Sequence, residues 1–253
     1  MRRLDGQQVV LTGAAGGIGS LVAARLRDCG AWVVGVDRVA CTTCDESIIA
    51  DLSSESGLAD LSLNLAARRV DILVNIAGVQ YFGPMERQAP ASIWLGYVVN
   101  LIAPATVIRA ILPQMQARKT GQIVNIGSVM GAINYPFFAA YSSSKAGLQG
   151  LSEGLRRELH GLGIAVTHIA PRAVRTAFNN SDVNRFMDLT GMAADDPAVV
   201  ADRIVAAIVA RERDVVIGFR ERLFMAINAL LPRAIDAGLS AQTIKARSLF
   251  PAQ

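Results

Sequence analysis

The stretch VVLTGAAGGIGSLVAARL, residues 9–26, decides the fold. Three apolar strand formers lead into a glycine-rich turn, TGAAGGIG at 12–19, and the turn leads into a segment whose apolar residues recur every three or four positions. A strand that turns sharply into a helix brings bare backbone and free helix amides to one point, which suits a bound pyrophosphate. Gly13, Gly17 and Gly19 follow a GxxxGxG spacing rather than GxGxxG, with Ile18 between the last two. Tight turns of any purpose use glycine. The position between a strand and an amphipathic helix is what points to a dinucleotide.

The same alternation continues along the chain and predicts strands at 8–12, 32–37, 47–50, 71–77, 121–128, 164–170 and 214–218. Helices are expected at about 17–29, 54–68, 90–118, 139–161 and 197–212. That order makes an α/β fold, a doubly wound parallel sheet with helices on both faces, and no linker or repeat divides it, so 1–253 reads as a single domain. Open parallel sheets bind ligands at the carboxyl ends of their strands. Residues 172–196 read as a polar, aromatic and irregular connection and form a candidate substrate lid. Residues 219–253 are expected to form a C-terminal helical extension, with Leu223, Phe224, Ile227, Leu230 and Leu231 on one helical face. That stripe could lie on a membrane, cover a lipid-like substrate or pack in a subunit interface, and packing fits best because the polar face is not unusually basic.

Hydrophobic residues make up 52% of the 253 and charged residues 18%, which excludes disorder and predicts a large buried core. The net charge of +4 is spread without a basic run, a poor match to nucleic-acid binding. The apolar windows at 204–210 and 223–231 are too short to span a bilayer, so no integral membrane segment is expected. The opening MRRLDGQQVVLTG begins like a signal peptide, but Asp5, Gln7 and Gln8 interrupt its apolar part, and a cytoplasmic protein is expected. Cys29, Cys41 and Cys44 are an odd set that suits a reducing compartment. The CTTC stretch stands without a second CxxC, and neither His160 nor His168 lies at ligand spacing from it; it reads as loop cysteines, and no metal site is expected.

Asp37 closes the second expected strand, where a carboxylate can accept both ribose hydroxyls of an adenosine and repel a 2′-phosphate. NAD is therefore preferred over NADP, and Gly16 adds no basic group inside the turn. The alternative reading makes Asp37 a turn residue or a partner for Arg38, and Arg38 could in principle serve a 2′-phosphate.

Tyr141 and Lys145 stand four apart on an expected helix and so share one face. A phenol with an ordinary pKa of about 10 is a poor base at neutrality, and a nearby ammonium would favour its ionised form. Ser128, at the carboxyl end of the fifth expected strand, can hold a substrate oxygen as charge develops; alone it would read as a helix or turn cap. Asn100 falls midway along the expected 90–118 helix, where propensity gives an amide no reason to be.

With TGAAGGIG (12–19), Asp51-Leu52, NIAG (75–78), Asn100, Ser128 and Tyr141-Ser-Ser-Ser-Lys145 in this order, the chain resembles the short-chain dehydrogenase/reductase family over about residues 5–218. The resemblance implies a Rossmann-type sheet and NAD(P)-dependent oxidation of alcohols or reduction of carbonyls. It implies Asn100, Ser128, Tyr141 and Lys145 as the catalytic set, Tyr141 being general base in oxidation and general acid in reduction. Asn100 would hold a water linking Lys145 to solvent, with a satisfied core amide as the alternative. Lys145 would bind the nicotinamide ribose, and Thr176 the carboxamide. The cofactor set becomes Gly13, Gly17, Ile18, Gly19, Asp37, Asp51, Leu52, Asn75, Ala77, Gly78, Tyr141, Lys145, Pro171 and Thr176. Two positions depart from the family pattern: Ile76 replaces an amide, and Arg172 replaces a glycine and would either reshape the nicotinamide wall or point outward to a partner. A homotetramer or dimer is also implied.

Gln80, Tyr81, Phe82, Met130, Tyr135, Phe138, Phe186 and Met187 fall in loops beyond the strand ends and in the candidate lid, a lining suited to a greasy ketone or secondary alcohol, or else loop anchors. The expected activity is hydride transfer between NAD and a hydrophobic secondary alcohol or ketone. The alternatives are a 3-oxoacyl thioester reductase, against which Asp37 speaks, and a non-catalytic dinucleotide-binding sensor.

Overall fold

Seven runs rich in Val and Ile form the strands β1 (Gln8–Thr12), β2 (Trp32–Asp37), β3 (Glu46–Ile49), β4 (Ile72–Asn75), β5 (Gly121–Ile126), β6 (Ile164–Pro171) and β7 (Asp214–Ile217). The structure, a computed structural model, describes residues 4–251; the two N-terminal arginines and the last two residues of the C-terminal extension lie outside the described residues. The strands pair in parallel in the order β3-β2-β1-β4-β5-β6-β7. Chain direction across the sheet reverses beside β1, so the crevice for a ligand opens between the carboxyl ends of β1 and β4.

The helices are α1 (Gly19–Asp28), α2 (Glu55–Ala66), α3 (Pro90–Tyr97), α4 (Ala103–Arg118), α5 (Met130–Ile133), α6 (Ala139–Glu158), α7 (Ser181–Thr190), α8 (Pro197–Ala210), α9 (Phe219–Leu230) and α10 (Pro232–Ala246). Alternate strand residues divide the core in two, as the period of two requires. Val9, Leu11, Val33 and Val74 pack under α1 and α8, whereas Val10, Val34, Leu73 and Ile123 pack under α2, α4 and α6. A third cluster, beyond the strand ends, gathers Phe82, Phe138 and Phe186 with ring centroids 4.8–5.6 Å apart.

The helix expected over 90–118 is one run with a flaw. Between α3 and α4, residues Val98–Ile102 form a π turn, in which Ala103 N–H reaches back five residues to the Val98 carbonyl. Pro104 has no N–H with which to bond the Asn100 carbonyl four residues before it, so the turn widens there. By length and composition this run, longer than the apolar windows at 204–210 and 223–231, could cross a bilayer. Half of its most apolar window is buried, and Ala103, Val107, Ile108, Ile111 and Met115 sit in the core beneath the sheet.

The segment 172–196 is less irregular than its composition suggests. It contains α7, capped by the Asn180 side chain, which accepts from Val183 N–H at 2.9 Å. Its two ends are tied by a bridge between Val174 and Asp195. The expected extension is helical, as α9 and α10, but of its apolar stripe only Ile227 packs against the protein, beside Val129, Ile133 and Ile235; Leu223, Phe224, Leu230 and Leu231 are exposed.

Candidate active site

At the carboxyl ends of β1 and β4 lies a cavity of about 500 Å³. Its lining includes Asp37, Asp51 and Leu52, Gly13 and Ala15 to Gly19 of the glycine turn, and Ser128, Tyr141 and Lys145. The glycine turn is built to take a phosphate. Gly13 adopts φ +70°, and a methyl there would stand 2.7 Å from the Ala77 backbone. A methyl on Gly19 would collide with the Gly13 carbonyl. The N-terminus of α1 has no side-chain cap and no acidic residue in its first turn, which leaves its positive end to face the cavity. These features fit a dinucleotide pyrophosphate.

Asp37 is held where a ribose would come. Its Oδ2 accepts from Ala15 N–H at 3.0 Å and its Oδ1 from Arg38 N–H at 2.7 Å, so carboxylate and glycine turn are one unit. Arg38 lines the same rim. Asp51 turns back onto Ser53, accepting from its N–H and hydroxyl at 2.9 and 2.7 Å, and these bonds hold its carboxyl below the usual range.

Ala77 and Gly78 line the cavity as expected, but Asn75 does not. It is 2% exposed and turned into the sheet, donating to Asn125 Oδ1 at 2.9 Å, while Ile76 takes the place on the wall. The last residue of a central strand alternates with its neighbour, so when Ile76 faces the cavity Asn75 faces inward.

Tyr141 and Lys145 lie one turn apart on α6, as their spacing predicts, and both are buried. Ser128 stands two residues past the end of β5 rather than within it; its hydroxyl accepts from Met130 N–H at 3.1 Å, as a cap does, and also bonds the Tyr141 phenol. Where the spacing predicts a phenol acidified by the ammonium, the structure differs. Burial pushes Tyr141 up to about 12, and the Ser128 bond lowers it only in part. Lys145 Nζ lies 6.0 Å from the ring centroid and donates to the Ile126 carbonyl at 2.9 Å; burial brings it down to about 8.

Asn100, 0% exposed in the π turn, does not line the cavity. Its Oδ1 accepts from Val79 N–H and its Nδ2 donates to the Val79 carbonyl, both at 2.9 Å, with a third bond to Ser144 Oγ at 3.0 Å. It thus clamps the backbone after β4 and reaches the site through Gly78, where an added methyl would lie 3.2 Å from Asn100 Oδ1 and 3.5 Å from Lys145 Nζ.

Pro171 and Thr176 line the cavity, Thr176 at the face of Gly17. Arg172 contributes to the wall, but its guanidinium is paired: to Asp195 at 2.6 and 3.0 Å and to Glu221 at 3.4 Å. It fastens the far end of the 172–196 segment and the first turn of α9 to the end of β6. In the cavity lining, Gln80 Nε2 donates to Phe178 O at 3.0 Å and to Asn179 Oδ1 at 2.9 Å.

Of the expected apolar lining, Gln80, Met130, Phe138 and Met187 line the cavity. Tyr81, Phe82, Tyr135 and Phe186 do not; Phe82, Tyr135 and Phe186 pack behind the wall. Leu95, Val99, Phe178, Val183 and Met192 line it without having been singled out. Leu95 and Val99 come from the 90–118 run, and Phe178, Val183 and Met192 from the candidate lid 172–196, so two stretches distant in the chain meet at one wall.

Residues 7–185 match the short chain dehydrogenase family, well over half of the chain. The chain belongs to that family. Short-chain dehydrogenase relatives include the 2,3-dihydroxy-2,3-dihydro-p-cumate dehydrogenase of Pseudomonas putida, 35% identical over 75% of this chain and 82% of that protein. The ketoacyl reductase HetN of Nostoc is 30% identical over 93% of this chain and 89% of its own length. A short chain dehydrogenase of Pseudocercospora fijiensis is 32% identical, and the match spans 63% of its length. Among solved structures, a Sphingobium yanoikuyae short-chain dehydrogenase in complex with NADPH superposes with TM-score 0.77 at 27% identity, over 93% of this chain and 95% of that one. A 4-hydroxyisoleucine dehydrogenase complexed with NADH superposes at 0.73 and 26%, over 84% and 96%. The chain is an oxidoreductase of this family, with a nicotinamide dinucleotide as its cofactor.

Proposed function

We propose that the protein interconverts a hydrophobic secondary alcohol and its ketone with NAD as its partner. The observation that carries this is the convergence of Ser128, Tyr141 and Lys145 on a cavity whose lining also includes Leu95, Val99, Met130, Phe138 and Met187. An apolar wall with a few convergent polar groups selects a substrate that presents one oxygen to those groups and hydrocarbon to the rest.

The dinucleotide, when bound, supplies the site that accepts or gives the hydride. Ser128 holds the substrate oxygen through its hydroxyl. Tyr141 gives its phenolic proton to that oxygen in reduction and takes it back in oxidation. A phenol held near 12 carries its proton at neutral pH, the form that reduction requires; the reverse direction requires positive charge in the pocket, which Lys145 and an oxidised pyridinium provide together. Lys145 binds the ribose beside the ring, and Asn100 acts by fixing the Gly78–Val79 backbone.

NAD is favoured because Asp37, tied to Ala15 N–H, presents a carboxylate where a 2′-phosphate would need a cation. The P. putida relative acts, by its name, on a dihydroxy-dihydro aromatic acid, in keeping with a cyclic secondary alcohol. The competing reading, reduction of a 3-oxoacyl thioester with NADPH, is favoured by the likeness to HetN and by Arg38 at the rim.

The test is absorbance of the reduced nicotinamide across secondary alcohols, ketones and a 3-oxoacyl thioester, with NAD and NADP in parallel. Turnover of hydrophobic alcohols with NAD supports the proposal; turnover only of the thioester with NADPH replaces it. Tight NAD binding without any turnover would point to a sensor. Tyr141→Phe should retain dinucleotide affinity and lose at least about 100-fold in kcat, the size of a general acid–base contribution; near-normal turnover removes Tyr141 from the role. Asp37→Ala should weaken NAD about 10- to 100-fold, one charged hydrogen bond, and narrow the preference over NADP. An unchanged preference counts against Asp37 as the discriminating group.

A further inference from the structure

The CTTC stretch, unused by the chemistry above, lies in the connection between β2 and β3. Its turn is closed by Cys44 N–H donating to the Cys41 carbonyl at 3.3 Å. The ends of such a four-residue turn lie within about 7 Å of one another, inside the range a disulfide spans. The two sulfurs are in contact: the Cys44 thiol donates to Cys41 Sγ at 2.9 Å. Closing that gap to a covalent bond takes less than about 1 Å of movement.

The pair is also joined to the glycine-rich turn. The Cys41 thiol donates to the Ala14 carbonyl at 3.2 Å, and Ala14 is flanked by Gly13, which makes the bend, and Ala15, whose N–H holds Asp37. At Gly35 on β2 a methyl would stand 2.5 Å from Cys44 Sγ, 2.9 Å from Ala14 Cβ and 3.2 Å from Cys41 Cβ, so the sulfurs and the turn are stacked on one spot of bare backbone. We propose that Cys41 and Cys44 form a reversible dithiol–disulfide pair whose oxidation weakens dinucleotide binding.

With hydrogen peroxide as oxidant, Cys44, the more exposed of the two, is the sulfur that meets it first. Its thiolate takes one peroxide oxygen and water leaves; the Cys41 sulfur then displaces that oxygen from Cys44, releasing a second water. Two thiols become one disulfide, and the peroxide supplies both oxidising equivalents. Burial and the contact with Cys41 push the Cys44 thiol up, so the reaction quickens as pH rises. A disulfide has no S–H, so the bond to the Ala14 carbonyl is lost and the turn loses one of its supports. A dithiol restores it by exchange.

The full-length protein is treated with hydrogen peroxide, mapped by mass spectrometry without reduction, and titrated with NADH by fluorescence before and after dithiothreitol. Expected are a product two hydrogens lighter, a Cys41–Cys44 link with Cys29 still free to alkylate, and NADH affinity lower by about three- to tenfold, one weak hydrogen bond. Dithiothreitol should restore the affinity, and Cys44→Ser and Cys41→Ala should each abolish the link. Absence of the link, or one that includes Cys29, overturns the pair; a link with affinity unchanged within about twofold overturns the coupling. Neither readout depends on turnover or on the substrate.

Discussion

Replacing Lys145 with Met should change how stability responds to pH. The side chain is 4% exposed, and burial brings its ammonium from 10.5 down to about 8. Unfolded chains keep that proton until about pH 10.4, so between pH 8 and that point the unfolded state holds one more proton than the folded. In that window stability rises with pH by about 1.36 kcal/mol per pH unit, which integrates to about 3 kcal/mol. Below pH 8 both states carry the proton, and the slope from this group vanishes. Tyr141 works in the other direction: raised from 10 to about 12, it keeps its proton after the unfolded phenol has lost it, so its contribution is lost as pH rises from 10 towards 12. Both proteins share that phenol, and it cancels in the difference between them. Lys145→Met keeps the length and apolar character of the stem and carries no proton. Urea unfolding of both proteins in half-unit steps from pH 7 to 10.5 gives the curve of wild-type minus variant stability. It should climb by about 3 kcal/mol across the interval. A curve flat to within about 1 kcal/mol would refute the account of a buried ammonium at the site.

Asn100→Ala strips the Val79 N–H and carbonyl of their partners, and the cost should be about 2–4 kcal/mol in urea unfolding together with weaker NADH binding; a loss below about 1 kcal/mol would show that the clamp does not hold the β4 loop. Arg172→Ala breaks the two-pronged pair with Asp195 and the contact with Glu221. Allowing for partial solvent screening, this should cost about 1–2 kcal/mol, a fall in Tm of about 2–4 °C by calorimetry, and it should speed proteolysis in 172–196. An unchanged cleavage pattern would mean that Arg172 does not fasten the segment.

The sequence of residues 9–26 by itself determined that a strand, a glycine turn and a helix follow one another, because hydrophobic period and glycine steric freedom are local properties. The Tyr141–Lys145 pairing was equally legible, since four residues on a helix fix a shared face. The ends of strands were not: β4 and β5 stop at Asn75 and Ile126, before the points their apolar runs suggest, although Gly127 and Val129 N–H still bond the Ile169 and Pro171 carbonyls of β6. Pro104 alone does not predict the π turn at Val98–Ile102, since a proline that frees the Asn100 carbonyl can kink a helix as readily as widen it. Only the tertiary structure decided that Asn75 faces the sheet, that Arg172 is neutralised by Asp195 and Glu221 from 23 and 49 residues away, and that Phe178, Val183 and Met192 join the wall. It also decided that burial outweighs the Ser128 hydrogen bond at the Tyr141 phenol. Desolvation and charge pairing depend on everything that surrounds a group in space, and spacing along the chain carries no record of that.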